Sequence, residues 1–232
     1  MGCQTTSETL KKYPVGTNHS GFIAVSKKQI PLPSGEWEIF AARSSLSSQN
    51  TPMLSFAFGN RDRNAPIMAV TVYTNAEVTL GTGWTNLKAC NRSNMIHLDR
   101  GETDSGGNKG CWFINHKRTT RSGNKGNLFN EMIERAKALE IRLPVTFVYS
   151  GFRISDTHDV LTVRVYFNPE AEGFDAPRQS AWATNDWHID RIYLDRKKDV
   201  YVEKMKTWAA AFFSKVEAGF NGKLVPARPA AK

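Results

Sequence analysis

Val145-Thr-Phe147-Val-Tyr149-Ser-Gly-Phe-Arg-Ile-Ser-Asp156-Thr-His-Asp159-Val-Leu161-Thr-Val163-Arg-Val165-Tyr-Phe167 decides the fold class of this chain. Val145, Phe147 and Tyr149 alternate, and so do Leu161, Val163, Val165 and Phe167. A period of two places alternate side chains on one face of a strand. Asp156-Thr-His-Asp159 between the runs is turn chemistry, so the two runs form an antiparallel hairpin. Antiparallel strands joined locally, with helices elsewhere in the chain, make an α+β protein.

Immediately upstream the period changes. Leu128, Met132 and Ala136 recur at helical spacing, with Phe129, Ile133 and Leu139 widening the stripe. Asn127 is placed to cap this helix, and Pro144 forbids its continuation. Further upstream, Leu54, Phe56 and Phe58, then Met68, Val70 and Val72, read as a second strand pair joined by residues 59–66. Trp37, Ile39 and Ala41 share one strand face, with Glu36 and Glu38 on the other. Residues 22–30 alternate loosely, residues 95–98 and 112–115 read as short strands, and residues 44–50 and 168–186 read as irregular. Downstream, Tyr201, Met205, Trp208, Phe212 and Val216 define a long C-terminal helix, broadened by Val202, Ala209, Phe213 and Phe220, with Asp195 or Asp199 as its cap. Together these predict an antiparallel sheet of about six to eight strands. The central and C-terminal helices pack on it, either on one face or, alternatively, one on each. Residues 21–222 form a single globular domain, 1–20 an anchor and flexible tether, and 223–232 a loose tail.

The chain has 232 residues, 40% of them hydrophobic and 23% charged, enough to bury a real core. No apolar run approaches the roughly 20 residues that span a bilayer as a helix. A net charge of +9 implies anionic neighbours. Lys117, Arg118 and Arg121 fall in the densest basic stretch and are candidate anion-binding residues for an anionic lipid or lipopolysaccharide. No zinc-finger spacing, RNP sequence or KH-type clamp accompanies them, so a solvated basic surface is favoured over nucleic-acid binding.

Met1-Gly2-Cys3-Gln4-Thr5-Thr6 opens the chain. A small residue before Cys3 matches the start of a mature bacterial lipoprotein. Gly2 with Cys3 and Thr6 also matches eukaryotic myristoylation and palmitoylation. The first reading is favoured, and it requires a basic and apolar leader before Cys3. Dual acylation and an unmodified terminus are the alternatives. Setting Cys3 aside as the lipid attachment leaves Cys90 and Cys111 as an even pair, read as a disulfide over two free thiols. The bond would close a loop of about 20 residues, worth about 3 kcal/mol of unfolded-state entropy.

Leu-Pro-x-Gly-x-Trp at 32–37, Cys90-Asn-Arg, Cys111-Trp-Phe-Ile-Asn-His, Trp187-His-Ile-Asp, Tyr201-Val-Glu and Ala218-Gly-Phe are spread along most of the chain. In these motifs it resembles an uncharacterised family of exported proteobacterial proteins that carries no established activity. The resemblance implies an envelope location and a paired Cys90 and Cys111, and it transfers no catalytic residue.

Chemistry is harder to find. No HExxH, P-loop, Rossmann fingerprint or nucleophile elbow is present, and no cofactor is implied. His97, His116 and Asp99 are the best metal grouping, read as ordinary surface or hydrogen-bonding residues before ligands. Trp182, Trp187, His188 and Asp190 concentrate in an irregular segment and form a candidate ligand loop, with His188 and Asp190 as an acid–base pair. The competing reading is that the tryptophans simply dock the loop. The expected function is therefore a lipid-anchored periplasmic protein, on the outer or inner membrane, serving a larger envelope assembly as an accessory or structural subunit through a protein partner. The alternative is a small periplasmic hydrolase or ligand-binding protein using residues 182–190. Dual acylation would instead place the domain on the cytoplasmic face of a eukaryotic membrane.

Overall fold

The computed structural model describes residues 5–62, 64–77, 84, 88–101, 109–120, 127–179 and 181–225. In chain order the elements are α1 (Thr6–Lys12), β1 (Asn18–His19), β2 (Phe22–Val25), β3 (Lys28–Pro31), β4 (Trp37–Leu46), β5 (Pro52–Gly59), β6 (Ile67–Asn75), β7 (His97–Arg100), β8 (Lys109–Arg118), α2 (Leu128–Ala138), β9 (Thr146–Ser155), β10 (Val160–Phe167), α3 (Ile189–Ile192) and α4 (Arg196–Phe220). Eight strands make one sheet in the order β1-β4-β5-β6-β10-β9-β8-β7, and β2 and β3 form a separate hairpin. Every pairing is antiparallel, so the protein is α+β. Two meanders, β4-β5-β6 and β7-β8-β9-β10, meet along β6 and β10, where Val163 faces Val72 and Val165 faces Val70. The outermost strands have two and four residues, which leaves little edge for stray pairing.

The long helix α4 covers one face. Tyr201, Val202, Met205, Ala209, Phe212, Val216 and Phe220 meet Ile39, Phe56, Phe58, Val70, Val72, Leu161, Val163 and Phe152 in the main core. Trp208 is half-buried, edge-on to Phe167 and parallel to Phe212 at 4.8 Å. Gly219 lets α4 touch the β2–β3 hairpin, because a Cβ there would stand 2.0 Å from the Gln29 carbonyl oxygen. Helix α2 covers part of the opposite face. Leu128, Phe129, Met132 and Ala136 pack on Phe40, Ala41, Ala57, Met68, Ala69, Phe147 and Tyr166. The central and C-terminal helices thus take opposite faces, the second of the two arrangements the sequence left open. The alternating pair Phe147 and Tyr149 belongs to the α2 side, and Val148, Phe152 and Ile154 supply the α4 side of β9. A strand covered on both faces carries apolar residues on both.

Three local features differ from the sequence reading. Residues 6–19, expected within a tether, are folded onto the body. Thr5 and Glu8 form a capping box, Tyr13 is buried edge-on to Phe56, and its hydroxyl accepts the Ala24 N–H at 2.9 Å. Strand β4 runs through residues 44–46, expected as loop, because they pair with β5. A register shift between Ile39 and Ala41 turns both Phe40 and Ala41 toward α2. On this strand Glu38, expected at the solvent face, is 2% exposed and held by Arg135 at 2.8 Å and Arg61 at 2.5 Å. Burial works against its charge, and the two guanidiniums more than offset that, leaving its carboxyl below the usual range.

Candidate functional site

The 182–190 segment is assembled largely by packing. Trp187 is 1% exposed, edge-on to Phe174 and Tyr201 in the main core. His188 caps α3, its Nδ1 accepting the Asp190 N–H at 3.3 Å. Asp190 Oδ2 also approaches that nitrogen at 3.3 Å, but Nδ1 is engaged as an acceptor and the Asp190 side chain is 81% exposed, so no tight acid–base pair results. Trp182 stacks on His116 at 5.3 Å, with His188 edge-on to both. His116 Nε2 must donate to the Trp182 carbonyl at 3.1 Å, which leaves Nδ1 as a buried acceptor without a donor. Burial above all lowers its pKa to about 4, with a smaller contribution from His188, against the pull of the carbonyl. Beside this segment lies a wide hollow of about 630 Å³ lined by Asp186, Asp190, Asp195, Arg191 and Lys198, in which both signs of charge are present.

His97 packs against Trp112 with the rings tilted and their centroids 4.6 Å apart, while His116 is held by Trp182, so these two histidines serve different partners. Among the described residues no His, Cys, Asp and Glu cluster has the makings of a metal site. Cys90 and Cys111 are bonded, with Cα atoms 5.8 Å apart, and are buried beside Met95 and Phe113. Cys3 and Arg121 lie outside the described residues.

The register of the sheet builds a different site. Arg43 faces Ser55, Ser55 faces Tyr73, Tyr73 faces Thr162, Thr162 faces Arg153, and Arg153 faces Cys111, giving one unbroken row across six strands that ends at the disulfide. The next row carries Ala57, Thr71, Arg164 and Gly151. Both rows lie on the α2 side of the sheet. Helix α2 has 11 residues, about 16 Å of helix, and packs on β4 and β5. The sheet is about 34 Å wide at the usual strand spacing. The part of the face that α2 leaves open is a groove of about 350 Å³, lined by Arg43, Ser55, Thr71, Tyr73, Arg153, Thr162 and Arg164, with Asn127 and Leu128 at its rim.

The groove is cationic. Arg43 lies 3.3 Å from Glu131 and is charge-balanced. Arg153 Nη1 donates to Thr162 Oγ1 at 3.0 Å, a contact that fixes the guanidinium without neutralising it. Burial lowers the Arg153 pKa, with Arg164 adding repulsion. Burial raises that of the Tyr73 phenol, with Arg153 opposing. Among the described residues no carboxylate lies within ion-pair distance of Arg153 or Arg164. Lys117, picked out in the sequence, borders this face: its Nζ lies 4.3 Å over the Phe129 ring, and burial followed by Arg164 lowers its pKa. Arg118 is exposed and the alternation of β8 turns it to the other side. Of the two described basic residues proposed from sequence, Lys117 reaches the cationic face and Arg118 does not, and the arginines that make the groove were missed. Against known proteins, the chain matches no family model, no curated protein and no solved structure.

Proposed function

We propose that the protein is a binding component of the bacterial cell envelope: a disulfide-braced domain, held at a membrane by lipid on Cys3, that serves a larger assembly as an accessory subunit by capturing an anionic partner in the groove. The observation that carries this reading is the Arg153 and Arg164 pair. The two guanidiniums sit diagonally on neighbouring strands, among hydroxyls, with no carboxylate at ion-pair distance among the described residues. Diagonal cross-strand neighbours are within about 7–8 Å, close enough for like charges to repel. An anion relieves that repulsion and gains charge-assisted hydrogen bonds.

The Cys90–Cys111 bond supports an oxidising compartment. Folding from Thr5 onward gives the anchor a consequence: acyl chains on Cys3 would hold the body against the bilayer, with almost no tether between. Lipid with two or more chains anchors stably, whereas one chain does so only marginally. Two arms test the reading. Titration calorimetry with inorganic pyrophosphate should detect binding to the wild-type chain and none to the Arg153→Gln, Arg164→Gln double variant. Unchanged binding to the double variant contradicts the groove. Cys3→Ser in a full-length precursor should release the protein to the soluble fraction, and retention on the membrane at high salt contradicts the anchor.

A further inference from the structure

The groove's charge and donor inventory narrow its ligand, an argument that rests on the groove being an anion site at all. Two other basic hollows are internally balanced. Arg142, in the cavity shared with Asn64 and Asn168, faces the Glu170 carboxylate at 3.8 Å. The hollow beside residues 182–190 mixes three aspartates with Arg191 and Lys198. The sheet groove, by contrast, combines two guanidiniums that have no carboxylate at ion-pair distance, among the described residues, with a wall of hydroxyls. A single carboxylate would leave one of the two charges unanswered. A phosphomonoester carries about −1.5 to −2 at neutral pH and presents three strong acceptor oxygens.

The donors are matched to such a group. Thr162 Oγ1 already accepts from Arg153, so its own hydrogen is available to a ligand. Tyr73 lies directly opposite Thr162 in the register and contributes both a phenolic donor and an aromatic wall. The rim at Asn127 and Leu128 is the first turn of α2, whose dipole favours negative charge. About 350 Å³ exceeds what an inorganic ion fills and is at the small end of organic-ligand sites, with room for a sugar or an aromatic ring.

We infer that the groove binds a phosphomonoester, its phosphate gripped between Arg153 and Arg164 beside the Thr162 and Tyr73 hydroxyls and its organic body lying along the sheet toward Ser55. The phosphate can belong to a soluble ester or to a lipid head group, which present the same chemistry.

The test compares phenyl phosphate, phenyl sulfate and benzoate on the full chain carrying Cys3→Ser, followed by the arginine side-chain N–H signals in NMR. At about pH 7.5 phenyl phosphate should bind about tenfold more tightly than the two monoanions and should move the Arg153 and Arg164 signals. At about pH 5, below the second phosphate pKa near 6, that advantage should vanish. Arg164→Gln, at an exposed position, should lose about tenfold in phosphate affinity with an unchanged near-UV spectrum. Arg153→Gln is the second variant, checked for folding in the same way. Equal affinity for all three probes overturns the phosphate assignment and leaves the anion groove standing. No movement of either arginine signal by any probe overturns both. Co-sedimentation with phosphatidylcholine vesicles containing phosphatidic acid, competed by phenyl phosphate, identifies the lipid source. Soluble binding without co-sedimentation identifies the soluble ester.

Discussion

At the scale of single residues the most deeply buried charges are held by partners. Lys28, fully buried, forms an ion pair with Asp159, and Asn75 braces both from the end of β6. Burial pulls the Lys28 ammonium down against Asp159's attraction. Burial pushes the Asp159 carboxyl up, yet Lys28 and Lys27 bring it below the usual carboxylate range. Among buried polar groups His116 is one exception, with a bare Nδ1 that has no donor; the Ser150 and Tyr201 hydroxyls are others. Its folded pKa of about 4 lies below the unfolded value of 6.5. The unfolded chain therefore takes up a proton first as pH falls, so stability is full above about pH 6.5 and declines from there to about pH 4. The loss attributable to His116 is about 3 kcal/mol. His188 is the titratable group facing it, and the depressed pKa values of His19 and His97 add in the same direction. Urea unfolding at successive pH values should show this decline, and His116→Gln should flatten much of it. An unchanged slope in the variant would place the titration elsewhere.

At the scale of elements, the helices and hairpins were readable because each announces itself locally. Asn127 accepts the Phe129 N–H at 3.0 Å and Asp195 accepts the Lys197 N–H at 2.9 Å, both as capping residues should. The stripe from Tyr201 to Val216 faces the sheet, as its spacing predicted. Helix α1 was overlooked although Thr5 and Glu8 spell its capping box, because seven residues carry too few apolar positions to show a period. The docking of α4 on the β2–β3 hairpin leaves no room at Gly219. Gly219→Ala should destabilise the fold by about 1–3 kcal/mol in spite of alanine's better helix propensity. Denaturant unfolding measures this directly, and a gain in stability would mean that α4 and β3 do not touch as described.

At the scale of the whole molecule, strand pattern gave the class but not the site. Arg43, Ser55, Thr71, Tyr73, Arg153, Thr162 and Arg164 each stand at positions that alternate with core residues, so each reads singly as the solvated side of its strand. What makes them one surface is the register between strands far apart in sequence, as from Arg43 to Arg164. Cross-strand register of that range is not encoded in any local period. Nor does any local pattern show that α2 is too short to cover them. Glu38 was misplaced for a related reason: its partners, Arg61 and Arg135, arrive from a loop and from α2.

The groove also makes a demand on stability that scaffolding residues would not. If Arg153 and Arg164 are held together for a ligand, their repulsion weakens the free protein and is released only on binding. The most direct measurement is denaturant unfolding of the wild-type chain and of Arg164→Gln, each with and without pyrophosphate. The account predicts that Arg164→Gln leaves the free protein as stable or more stable, by about 0.5 kcal/mol, and lowers the anion-induced gain by up to about 1.4 kcal/mol, the equivalent of a tenfold weaker affinity. A loss of more than about 1 kcal/mol in the free variant, with the anion effect retained in full, would show that Arg164 is structural and would contradict the account.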